Sequence, residues 1–131
     1  MKRLFPVLLL SVCLMSCQEK LLDRFEREAE EYTARNCPKQ MDSITMLDSI
    51  VCRNDGLLNY TYYYTLQLTD EQRKEFSKHK TEIEENTLKA VRNSIELKNV
   101  KEAGLNIEYI YLDAETGKTL CHLRFTKEQY K

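Results

Sequence analysis

The chain of 131 residues has no tryptophan, three glycines, two prolines and two histidines. Three glycines leave little room for a phosphate-cradling loop or a Gly-x-Ser-x-Gly nucleophile elbow, and neither pattern occurs. Long apolar runs are missing too: the longest, Leu4 to Met15, spans 12 residues, whereas a helix needs about 20 to cross a bilayer. No single sign of charge dominates. The 20 basic and 21 acidic side chains alternate along the sequence, so the basic stripe that nucleic acid requires is absent, as is a basic membrane-binding face. No cofactor or metal is expected. What remains, 42% hydrophobic and 31% charged residues, describes one foldable domain rather than a disordered chain.

The beginning of the chain has a different character. A basic Met1-Lys2-Arg3 precedes the short apolar run, and Ser16-Cys17 follows it, the layout of a secretory signal. The tetrad Leu14-Met15-Ser16-Cys17 resembles the lipobox of bacterial lipoproteins, with Met15 at its tolerant position. A small residue at Ser16 lets a peptidase approach the backbone, and a thiol at Cys17 can carry a diacylglyceryl thioether. The resemblance implies a signal peptide over residues 1–16, lipidation of Cys17 and membrane attachment through that anchor. Gln18, by resemblance to enteric lipoproteins, implies sorting to an outer membrane. An ordinary secretory signal cleaved nearby is the other reading. Without residues 1–16, 115 residues remain, and 18 basic side chains face 21 acidic ones, a formal charge near −3.

Cysteine usage changes with that removal, because Cys37, Cys52 and Cys121 are left as an odd set in an oxidising compartment. One internal disulfide can form. Cys52 with Cys121 is the expected pair and Cys37 the alternative partner. Spacings of 15 and 69 residues match no zinc module. A thiol-dependent activity at Cys37 or Cys121 is the enzymatic alternative, without a Cys-x-x-Cys signature to support it.

Along the rest of the chain, Leu21, Phe25, Ala29 and Tyr32 recur at helical spacing, predicting an amphipathic helix over 17–36 that ends before Cys37-Pro38. It leaves almost no linker between the anchor and the domain at 37–131. Residues 43–52 are rich in β-branched side chains, and Asp55-Gly56 predicts a hairpin with 57–68. On that second strand Leu58, Tyr60, Tyr62, Tyr64, Leu66 and Leu68 alternate onto a core face, leaving Tyr63 outward as a candidate contact surface. Thr69 and Gln72 form a capping-box pattern at the start of a long helix that bends or divides near Asn86. Its other face pairs Lys78 with Glu82 and Glu85 with Lys89. A second hairpin follows Gly104, with Leu105, Ile107, Tyr109 and Tyr111 facing inward, answered by Cys121, Leu123 and Phe125. The expected fold is α+β: a four-stranded antiparallel sheet from two hairpins, packed on a long helix and preceded by the amphipathic one.

No residue stands out as catalytic. His79 reads as an exposed side chain on a charged helix. Cys121 and His122 are adjacent on a strand and so point to opposite faces, which argues against a shared metal. Asp42-Ser43-Ile44 and Asp48-Ser49-Ile50 resemble the Asp-Ser/Thr-aliphatic triplet that Bacteroidetes O-glycosylate, which makes Ser43 and Ser49 candidate modification sites. The whole pattern, with Cys-Pro, a tyrosine-rich strand and Tyr-x-Tyr-x-Asp before a glycine turn, resembles small envelope lipoproteins of Bacteroidetes. Two functions fit. One is a non-enzymatic interaction or assembly-accessory module for another envelope protein. The other is a carrier of a small apolar ligand, in a pocket lined by Tyr60, Tyr62, Tyr64, Tyr109 and Tyr111.

Overall fold

The computed structural model describes residues 5–54 and 58–131, with side chains from Leu21 onward apart from that of Asn54. The expected Asp55-Gly56 turn lies outside the described residues, and the Cys17 side chain lies outside the described side chains. Helix α1 (Phe5–Asn36) comes first. The apolar spacing puts Phe25 and Ala29 on one stripe, and both are buried, at 3% and 0% exposure. The stripe packs on β2 (Thr45–Asn54), so α1 is part of the folded unit. Cys37 N still bonds to Thr33 O at 3.0 Å. Beyond it Pro38, which has no N–H, stops the helix. Among the described residues, no helix is long and apolar enough to cross a membrane.

Strand β1 (Lys39–Gln40) pairs antiparallel with the start of β2. Asp42 turns the chain between them, its Oδ1 accepting from Ile44 N at 2.9 Å and Thr45 N at 2.8 Å, an aspartate turn. β2 then pairs antiparallel with β3 (Leu58–Leu66), with a register shift at Asp48. Helices α2 (Asp70–Lys78), α3 (Lys80–Asn93) and α4 (Lys98–Glu102) follow. β4 (Asn106–Asp113) and β5 (Thr119–Phe125) form the second hairpin, and α5 (Lys127–Tyr130) closes the chain.

The α+β class holds, but the sheet corrects the four-stranded antiparallel expectation. It has five strands in the order β1-β2-β3-β4-β5, and β3 and β4 run parallel, from Asn59↔Asn106 to Leu66↔Asp113. The helices cause this. They carry the chain from the end of β3 back to its beginning, so β4 starts beside the start of β3, as in any strand–helix–strand crossover.

The long helix also divides earlier than expected. Thr69 and Gln72 form the capping box, but the break is at His79, whose N–H bonds both Glu75 O and Phe76 O at 3.2 Å. That tightened last turn ends α2 before Asn86. It also rearranges the surface charges: Lys78 reaches back to Glu75 at 3.4 Å, and Glu82 meets His79 Nδ1 at 3.2 Å.

The core lies on one side of the sheet. Phe125, Leu105, Ile107 and Val91 are fully buried there, together with Phe25 of α1, Val100 of α4 and Tyr130 of α5. Each such side chain contributes about 1.5–3 kcal/mol through removal from water. Tyr130 adds a hydroxyl bond to Leu105 O at 2.8 Å, which fixes α5 against the sheet. The far face holds Thr61, Tyr63, Glu108 and His122, and among the described residues none on that face joins the hydrophobic core.

Candidate functional site

The parallel register of β3 and β4 sets Tyr62 beside Tyr109 and Tyr64 beside Tyr111. Their rings stack at centroid distances of 5.1 and 5.2 Å, with interplanar angles of 17° and 14°. Tyr62 and Tyr64, two residues apart on one strand, stack as well, at 6.2 Å and 8°. Each such pair adds about 0.5–1.5 kcal/mol beyond its buried area. Because the faces are used against one another, the array offers ring edges and hydroxyls to whatever lies above it.

Above Tyr60, Tyr62 and Tyr64 is a cleft of about 440 Å³. One wall is α1, through Glu28 and Tyr32; Lys39, Met41, Leu47 and Ile50 come from β1, the turn and β2; Glu96, between α3 and α4, stands opposite. Tyr109 and Tyr111 do not line it. They lie against Phe125 and Phe76, at 6.4 and 6.3 Å. The five-tyrosine pocket expected from the sequence is therefore a three-tyrosine floor backed by two packed rings.

Two properties distinguish this floor from ordinary core. Among the described residues, the hydroxyls of Tyr60, Tyr62 and Tyr64 bond to no protein group, and no buried side-chain nitrogen or oxygen is left without a partner, so these hydroxyls open into the cleft. Burial raises all three above the ordinary phenol value, Tyr60 to about 12, and the Glu96 carboxylate adds to the rise at Tyr62 and Tyr64. They are protonated donors at any physiological pH. The most exposed large apolar residues among those described are close by: Met41, at 49%, lines the cleft, and Ile95, at 87%, is the chain neighbour of Glu96, which also lines it.

The other expected residues are scattered. Tyr63 is half-buried on the far face, opposite Ser49 in the β2–β3 register. Ser43 is exposed beside the Asp42 turn. Cys121 and His122 do point to opposite faces, in register with Tyr111 and Ile110. His122 Nε2 contacts Glu108 Oε2 at 2.5 Å, and Glu108, 6% exposed, also accepts from Thr61 Oγ1 at 3.2 Å. His79 is exposed between Glu75 and Glu82. Among the described residues, no three histidine, cysteine or acidic side chains gather as a metal would need.

The expected Cys52–Cys121 disulfide is corrected: Cys37, Cys52 and Cys121 are all free thiols. Cys52 and Cys121 sit on β2 and β5, separated by three strand spacings, about 14 Å, across the sheet and by a further offset along it, since the register aligns Cys52 with Phe125; a bridge needs Cα atoms within about 7 Å. Cys37, the alternative partner, is likewise unbridged: it precedes β1, whose Lys39 lies opposite Leu47. Burial raises all three thiols, Cys52 to about 11, which disfavours the reactive thiolate.

Part of the cleft's wall was legible in the sequence, through Tyr32 on the amphipathic helix, but Glu96 and Met41 lie in irregular segments, where no periodicity marks a face. The helical spacing from Leu88 and Val91 to Ile95 predicts a buried position, yet α3 ends at Asn93 and Ile95 is exposed.

Two solved structures share the fold. One, of a Pseudomonas aeruginosa protein inferred to be secreted, superposes with a TM-score of 0.72 at 10% identity, covering 87% of this chain and 96% of that one. The other, the pilotin of the Vibrio vulnificus type 2 secretion system, gives 0.56 at 11% identity over 87% and 94%. No curated protein matches the sequence at a significant level. The family model for the domain of unknown function DUF8479 does match, over residues 20–121, and the chain belongs to that family.

Proposed function

We propose that this chain is a lipid-anchored protein of the bacterial envelope that works by docking, not by catalysis, and that the tyrosine-floored cleft receives a segment of an envelope partner. The observation that carries this reading is the cleft itself, with unpartnered hydroxyl donors on its floor, the exposed Met41 in its lining and the exposed Ile95 next in the chain to its Glu96. Interface centres favour tyrosine for its large contact area at low entropic cost, and methionine for its adaptable, polarizable chain. Glu28 and Glu96 outnumber Lys39 on the walls, so a segment with apolar side chains and a basic residue complements it. The likeness to a pilotin supports an accessory role at the level of fold. The lipobox supports attachment through Cys17, and Gln18 supports an outer-membrane address. The raised thiols weigh against a cysteine enzyme.

The test is a photo-reactive amino acid at Met41 in the full-length protein in its own envelope, with the crosslinked product identified by mass spectrometry. One dominant partner, lost when Ile95→Glu is added, is the expected result. No protein adduct at all would overturn it. The volume also falls within the roughly 300–1,000 Å³ of small-molecule sites, which keeps a ligand carrier as the second reading. Native mass spectrometry of the extracted protein would then show a bound molecule.

A further inference from the structure

The two edges of the sheet are finished differently. At one, β1 covers Met46 and Leu47 of β2. A little further on, the Thr33 hydroxyl of α1 accepts from Ile50 N at 2.9 Å and donates to Ile50 O at 3.0 Å, so a helix side chain does what a neighbouring strand would. At the other edge is β5. Among the described residues, no segment hydrogen-bonds its outer side, and Thr119–Phe125 contains neither proline nor glycine. A bulge at Leu120 interrupts its pairing with β4, leaving Cys121–Phe125 as regular strand. An open edge of this kind is a template for another strand.

Beside the edge runs a groove of about 310 Å³, walled on the helix side by Lys80, Thr81 and Glu84 at the start of α3. Lys80 and Glu84 are both exposed, one helical turn apart, and among the described residues neither forms an ion pair. One positive and one negative charge favour neither an acidic nor a basic strand. They do suit a second copy of the same surface. A two-fold axis through the groove, perpendicular to the sheet, turns β5 antiparallel to itself. The same rotation exchanges the two ends of the helix wall, bringing Lys80 toward Glu84 of the second copy and Glu84 toward its Lys80. Self-complementarity of this kind is what a two-fold interface requires.

We propose that β5 pairs antiparallel with β5 of a second copy, joining two sheets of five strands into one, with reciprocal Lys80–Glu84 contacts across the seam. The interface is separate from the tyrosine cleft, which lies over β3 beside α1, and leaves it open.

Sedimentation of the full chain in detergent tests this, read as the mass of the protein component. The expected value is twice the mass of one chain. Lys80→Glu or Glu84→Lys alone places like charges together at both contacts and weakens the dimer about tenfold or more. The double exchange K80E/E84K restores it, because only a second copy carries the reciprocal change. A monomer at every concentration overturns the proposal. So does a dimer indifferent to the single changes, or one that the double exchange fails to restore.

Discussion

Arg73 Nε donates to Asp113 Oδ2 at 2.9 Å, joining α2 to the end of β4, and Asp113 is only 3% exposed. The same carboxylate accepts from Thr116 Oγ1 at 3.0 Å and Glu115 N at 3.2 Å, while Arg73 also meets Asp70 at 2.6 Å and, more closely still, Glu115. A buried carboxylate with this many donors holds the helical crossover against the sheet and shapes the turn into β5.

Acid should act through this contact. The Arg73 side chain, followed by the Glu115 backbone and the Thr116 hydroxyl, lowers Asp113 below the ordinary value of 3.8. Its contribution is therefore fully present above that value and is lost as pH falls through the depressed folded value. Asp113→Asn should lower the melting temperature at pH 7 and flatten the acid limb of a stability profile below pH 3.8. An unchanged acid limb would assign the loss to other carboxylates.

Thr33 gives a prediction about the opposite edge. Its hydroxyl serves both backbone groups of Ile50, and valine keeps the shape while removing both bonds. Thr33→Val should cost about 1–3 kcal/mol, the penalty for leaving polar backbone unsatisfied, measured by urea denaturation. A change near zero would mean that water replaces the hydroxyl there.

These two contacts show where sequence reading succeeds and where it stops. Alternation placed Leu105, Ile107, Leu123 and Phe125 on the buried face, and helical spacing placed Phe25 and Ala29, because periodicity encodes which side is dry. The capping box at Thr69 was legible for the same local reason. The parallel pairing of β3 with β4 was not, since the path of a helical crossover leaves no mark on either strand's alternation. Neither was β1, whose two residues are too few to show a period, nor α5, a single turn capped by Thr126 and Gln129. The tyrosines were legible as a face, but the cleft over them depends on Met41 and Glu96, brought there by turns.

Alkali should unfold the protein through the tyrosine array. Burial raises Tyr60 and Tyr111 to about 12 and Tyr62, Tyr64 and Tyr109 further above the ordinary 10. With folded values above unfolded ones, the associated stability is complete below pH 10 and is lost as pH rises toward and through the folded values. Phenolate absorbance should therefore rise abruptly, together with loss of circular dichroism. A gradual rise near pH 10 with the fold intact would show the hydroxyls to be freely hydrated.

Substitutions at the cleft separate docking from folding. Met41 and Ile95 are 49% and 87% exposed, so Met41→Glu and Ile95→Glu remove little buried surface and should shift stability by no more than about 0.5 kcal/mol. Phe125, at 0% exposure beneath Tyr109, is the contrasting case, and Phe125→Ala should cost about 3–5 kcal/mol. If the cleft docks a partner, the two glutamate changes abolish crosslinking at full stability, with Ile95→Glu read from the probe at position 41 and Met41→Glu from a probe on the Glu28 wall. Glutamate variants that unfold the protein would instead make Met41 and Ile95 part of its own packing, and glutamate variants that leave both stability and crosslinking unchanged would move the docking surface away from the tyrosines.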